Sequence, residues 1–193
     1  MYAFWLSTAV IFVAELGDKS QLMAMTFATR YRARDVLIGI TVATAIVHLA
    51  SVAIGSLVGA AFSDYQGAIN IVAGAAFLGF AAWTLRGDEL TDEEAAKAKN
   101  ATGAALLAVG TAFFLAELGD KTMLATITLA TQEGWFGTWL GSTLGMVAAD
   151  ALAIGVGAVL GKKLPEKAIT VFATGAFTVF GLILIAQGVS SYL

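Results

Sequence analysis

The chain has 193 residues, of which 59% are hydrophobic and only 13% charged, with a formal net charge of -3. Soluble domains average about half apolar and about a quarter charged residues, so lipid is the solvent expected for most of this chain. There is no cysteine, which excludes disulfides, thiol catalysis and thiolate metal ligands, and no basic run that would point to nucleic acid.

Six apolar segments are long enough to cross about 30 Å of hydrocarbon. In chain order they run over residues 3–29, 37–62, 68–86, 103–131, 136–161 and 168–189. The first lacks a basic leader and a small-residue cleavage site, and it holds polar residues, so it is not expected to be a cleaved signal. The breaks are polar: Arg30 to Asp35, Ser63-Asp64, residues 87–101, Gln132 to Gly134, and Lys162 to Lys167 around the single proline, Pro165. In the central break, Thr91 followed by Glu94 is a capping-box pattern, compatible with a short surface helix or with a solvated charged linker. Trp5, Trp83, Trp135 and Trp139 fall near span ends, where interfacial anchors sit.

Ala14-Glu15-Leu16-Gly17-Asp18-Lys19-Ser20 recurs as Ala116-Glu117-Leu118-Gly119-Asp120-Lys121-Thr122. The same offset pairs Gly39 with Gly141 and Gly55 with Gly157. A slightly shorter offset pairs Phe77 with Phe177 and Phe80 with Phe180. A whole three-span unit is therefore duplicated. An odd number of spans forces the second copy to insert upside down. The expected fold is an all-α membrane protein of six transmembrane helices in two inverted three-helix repeats, residues 1–86 and 103–193, joined by an acidic cytoplasmic linker over 87–102.

All lysines and arginines outside the two motifs lie in or beside the first, third and fifth loops. The positive-inside rule places those loops in the cytoplasm and both termini outside the plasma (inner) membrane.

Glu15, Asp18 and Lys19 interrupt an apolar run, as do Glu117, Asp120 and Lys121. A charged side chain at a helix centre costs roughly 2.5–3.5 kcal/mol on insertion scales, so these residues must face a cavity or one another. Glu15 and Asp18 are three apart, on one helical face, and Lys19 is within reach of Glu15. Gly17 and Gly119 leave room for close backbone approach or a helix break, whose freed carbonyls would join the site. Ser20, Gln21 and Thr122 add oxygen donors, as further ligands or gating groups.

Four carboxylates against two ammonium groups leave a charge that one divalent cation or two protons would neutralise, the basis for exchanging one for the other. The all-oxygen ligand set suits Mg2+, Ca2+ or Mn2+, and spacing does not choose among them. The competing reading is structural: Glu15–Lys19 and Glu117–Lys121 pairs inside each motif would lock helices together. His48 and Asp150 hold equivalent positions within apolar second spans, as members of a proton path, as groups at the edge of the metal path or as packing residues. The recurring glycines at 55 and 59, at 157 and 161, and at 137, 141 and 145 read as helix-packing faces.

The repeated Glu-Leu-Gly-Asp-Lys-Ser/Thr resembles the Glu-x-Gly-Asp-Lys/Arg-Ser/Thr signature of a family of cation/proton exchangers that includes MneA-type bacterial manganese exporters and Golgi manganese/calcium transporters. The likeness extends over both halves and the acidic linker. It implies proton-coupled transport with Glu15, Asp18, Glu117 and Asp120 binding the cation. It also implies Mn2+ export by alternating access, with Ca2+/H+ exchange at the same site as the alternative. Lys19 and Lys121 would then compensate charge. No enzyme activity and no cofactor are expected. The partners expected are a divalent metal ion and the lipid bilayer, with a homodimer left open.

Two readings from other classes compete. An intramembrane aspartyl protease also uses paired membrane aspartates, but the adjacent lysines oppose the shared proton such a dyad needs. A passive channel would carry flux that ignores a pH gradient.

Overall fold

The computed structural model describes residues 1–86, 103–160 and 166–193, with residues 91, 92, 95, 96 and 98 between the first two stretches. The expectations for the central break and the Lys162–Pro165 turn therefore fall largely outside the described residues. Among those residues every regular element is a helix: α1 (Tyr2–Glu15), α2 (Lys19–Ala28), α3 (Ala33–Ala61), a 3-10 turn (Ser63–Tyr65), α4 (Gln66–Arg86), α5 (Ala105–Glu117), α6 (Lys121–Ala130), α7 (Trp135–Leu160) and α8 (Glu166–Ser190).

Among the described residues four helical stretches are long and apolar enough to cross a membrane alone: Ala33–Ala61, Ser63–Arg86, Trp135–Ala158 and Lys167–Ser190. The two remaining predicted spans, 3–29 and 103–131, are not continuous. Each is broken in two at Leu-Gly-Asp. The 14 residues of α1 reach only about 21 Å. The cause is a helix stop and a helix start set back to back. Gly17 and Gly119 adopt φ of 77° and 80°, a left-handed backbone that glycine enters without steric cost. Asp18 and Asp120 follow in extended geometry as N-caps of α2 and α6.

Helices of one half pack mainly on helices of the other. α1 lies along α7, where Gly137 meets Ala3 and Phe4, Gly141 meets Phe4, and Gly145 meets Thr8 and Phe12. The glycine face read from the sequence is thus covered by α1. α3 packs on α5, α6 and α7. A methyl group at Gly55 would overlap the Ile127 carbonyl, and one at Gly157 would meet Met25, so these matching positions make matching close approaches. α3 meets α7 where Thr44 donates to Met146 Sδ at 3.3 Å.

α4 and α8 form an antiparallel pair, with Gly67 against Gly188 and Gly74 against Gly181. Between them the repeat-related phenylalanines interlock. Ring centroids lie 5.9 Å apart for Phe77–Phe177 and 4.7 Å for Phe77–Phe180. Trp5, Trp83 and Trp135 are exposed. Trp139 is not an exposed anchor: its indole N–H donates to the Ala45 carbonyl of α3 at 2.9 Å, so it ties two helices together.

The candidate cation site at two helix breaks

Each break builds the same unit. α1 ends at Glu15, Leu16 is extended (φ -61°, ψ 122°), Gly17 turns the chain and Asp18 starts α2. In the second copy Leu118 is extended (φ -67°, ψ 114°), Gly119 turns and Asp120 starts α6. Breaking the helix here leaves the carbonyl end of one short helix and the amide end of the next beside each carboxylate.

Across each break a hydroxyl holds the glutamate. Ser20 Oγ donates to Glu15 in a short contact and lies 3.2 Å from Asp18 Oδ2. Thr122 Oγ1 donates to Glu117 Oε2 at 2.9 Å. The second oxygens, Glu15 Oε2 and Glu117 Oε1, are buried with no hydrogen-bond partner among the described residues. Ser20 and Thr122, expected as extra ligands or gates, are thus engaged with the glutamates.

The lysines cross between the motifs. Lys121 pairs closely with Asp18, and Lys19 Nζ lies 3.8 Å from Asp120 Oδ1. These are matching pairs under the repeat, each joining one motif to the other. The pairing inside a motif weighed for a structural role, Glu15 with Lys19 and Glu117 with Lys121, is not the arrangement found. The four motif carboxylates are buried, while the Lys19 side chain keeps 19% of its exposure and Lys121 keeps 4%. Among the described residues no group of three or more acidic or imidazole side chains is gathered closely enough to hold a metal ion. The carboxylates here answer to lysines and hydroxyls.

Gln21 does not offer its oxygen to the site. Oε1 accepts from Gly17 N–H at 2.8 Å and Nε2 donates to the Ala149 carbonyl of α7 at 2.7 Å, so it acts as a strut. Met123, at the matching position, accepts from Gly119 N–H at 3.2 Å. The strut escaped sequence reading, although the Gln/Met mismatch between otherwise similar motifs marked the place.

His48 and Asp150 are both fully buried, and no ring nitrogen or carboxylate oxygen of either has a hydrogen-bond partner among the described residues. Asp150 follows Ala149, whose carbonyl takes the Gln21 amide, so it lies on the turn of α7 held beside the first break.

The family description "Divalent cation/proton antiporter GDT1" matches residues 3–92 and 105–192, nearly the whole chain in two blocks. The chain belongs to the GDT1 family of divalent cation/proton antiporters. A Vibrio cholerae protein named "Putative manganese exporter" is 33% identical over 181 residues, covering 92% of this chain and 87% of its own length. GDT1-like protein sll0615 of Synechocystis is 30% identical, covering 94% of this chain and 95% of its own. GDT1-like protein 2 of rice chloroplasts is also 30% identical, but the match spans 59% of that longer chain. No solved structure matches. As a GDT1 member the chain falls in a transporter family, not an enzyme family.

Proposed function

We propose that this protein exports Mn2+ from the cytoplasm across the plasma (inner) membrane in exchange for protons, with Glu15, Asp18, Glu117 and Asp120 as the cation site. The observation that carries this reading is the reciprocal pairing of Lys121 with Asp18 and Lys19 with Asp120, which joins the two motifs into one buried centre. Four carboxylates and two ammonium groups leave a net double negative charge, and a divalent cation or two protons answers it. In the cation-bound state the lysines release the aspartates. With neither bound, the aspartates pair with the lysines as seen here and the double negative charge stands unanswered, which disfavours an empty crossing.

The fold proposed is two inverted repeats, residues 1–86 and 103–193, linked by 87–102, with each broken pair α1–α2 and α5–α6 filling one crossing. Antiparallel α4 and α8 and the matching contacts at Gly55 and Gly157 support it. One-sided lysine and arginine placement supports cytoplasmic odd-numbered loops and external termini. Alternating access then arises as one set of helices rocks on the other. Mn2+ as cargo rests on the hard oxygen donors and on the similarity to the Vibrio cholerae protein.

The test is Mn2+ uptake into inside-out vesicles with an internal pH dye, set beside Ca2+, Mg2+ and Zn2+. Mn2+ entry coupled to proton release is expected, and Glu15→Gln or Asp120→Asn should reduce it to background with the protein still folded. Preference for Ca2+ at equal concentration would reassign the cargo. Flux indifferent to the pH gradient would make the protein a channel.

A further inference from the structure

We propose that Asp150 is a fifth carboxylate of the cation site and ligates the divalent ion directly during transport, making a site of twofold origin one-sided. The proposal rests on the two-motif reading above and adds to it a residue outside both motifs.

Asp150 sits at the middle of α7, the helix that packs on α1, α2 and α3. Its neighbour Ala149 receives the Gln21 amide at 2.7 Å, which pins this turn of α7 to the start of α2 beside the first break. Asp150 is fully buried, and both its oxygens lack a hydrogen-bond donor among the described residues. A buried carboxyl without donors is costly unless a cation or a proton answers it. The motif glutamates each have a hydroxyl donor, Ser20 for Glu15 and Thr122 for Glu117, whereas Asp150 has none among the described residues.

Position argues the same way. Gln21 Oε1 also accepts from Gly17 N–H at 2.8 Å, so the residue that holds α7 at Ala149 holds the break between Glu15 and Asp18 as well. The repeat equivalent of Asp150 on α3 is His48, an imidazole that brings no anionic oxygen. The duplicated chain therefore carries a carboxylate in one half and an imidazole at the matching place in the other. A fifth carboxylate raises the attraction for a doubly charged ion over a singly charged one.

The experiment is isothermal titration of the full-length protein in nanodiscs with Mn2+. It compares wild type, Asp150→Asn, Asp150→Glu, His48→Gln and Glu15→Gln, after each has given a single monodisperse peak. Asp150→Asn should weaken Mn2+ binding on the order of tenfold or more, as loss of groups around a metal typically does. Asp150→Glu should recover most of that affinity, and His48→Gln should bind like wild type. Wild-type affinity in Asp150→Asn alongside lost binding in Glu15→Gln overturns the proposal and leaves the two-motif site standing. Wild-type affinity in Glu15→Gln removes that site and this proposal with it.

Should Asp150→Asn fail to fold, the wild-type protein decides by mass spectrometry after reaction with dicyclohexylcarbodiimide. Saturating Mn2+ should protect Asp150 from labelling. Labelling unchanged by Mn2+ would overturn the assignment.

Discussion

The two helix breaks share one local code and differ in how firmly the rest of the molecule holds them. Both turn at a left-handed glycine, start the next helix at an aspartate and hold a glutamate by a hydroxyl. At the first break Gly17 N–H meets an amide oxygen, Gln21 reaches on to α7, and a side chain at position 17 would meet Ile169 Cγ2 at 3.1 Å. At the second break Gly119 N–H meets the weakly accepting sulfur of Met123, and among the described residues nothing lies within 4 Å of the place a side chain would occupy. A repeated sequence thus reproduces the backbone, while the neighbours set its stiffness. The first break carries a strut to α7 that Met123 does not match at the second.

The largest effects are expected at the glutamates. If both halves serve one centre, Glu15→Gln and Glu117→Gln each abolish proton-coupled Mn2+ uptake. Transport surviving in one of them would assign the cation to a single motif. Next come the aspartates. Asp18→Asn removes the carboxylate that pairs with deeply buried Lys121, a change that costs roughly 3–5 kcal/mol for buried pairs. Asp120→Asn affects the longer pair with part-exposed Lys19, for which about 1 kcal/mol is expected. Melting in nanodiscs should rank Asp18→Asn well below Asp120→Asn, and equal shifts would erase the asymmetry.

The glycines sharpen the contrast at smaller scale. Forcing alanine into left-handed geometry costs about 1–2 kcal/mol at either site. Gly17→Ala adds the contact with Ile169 and should melt lower than Gly119→Ala. The reverse order would mean the first break is the freer one. Smallest is the strut: Gln21→Met should cost about 1 kcal/mol through the lost bond to Ala149. Met123→Gln, at a place with no comparable bond to lose, should leave melting unchanged or raise it.

Much of this was legible in the chain. Residues 37–62 and 168–189 were read as spans and appear as Ala33–Ala61 and Glu166–Ser190, because long apolar runs are a local property. The breaks in 3–29 and 103–131 escaped a hydropathy reading, since Leu-Gly-Asp adds one polar residue to an apolar window. Glycine followed at once by an N-capping aspartate was the available signal. Trp139 looked like an anchor because its place near a span end is visible in sequence, whereas the Ala45 carbonyl it meets is 94 positions away.

Composition and duplication alone established the apolar solvent, the paired motifs and the stock of carboxylates, all properties that need no knowledge of what lies across the core. Packing decided the rest. It set each lysine against the aspartate of the other motif, gave Gln21 a carbonyl on α7, and so held the turn of α7 that carries Asp150 beside the first break. Such partners lie about a hundred residues apart in the chain and meet only because glycine-lined faces let helices of the two halves approach closely.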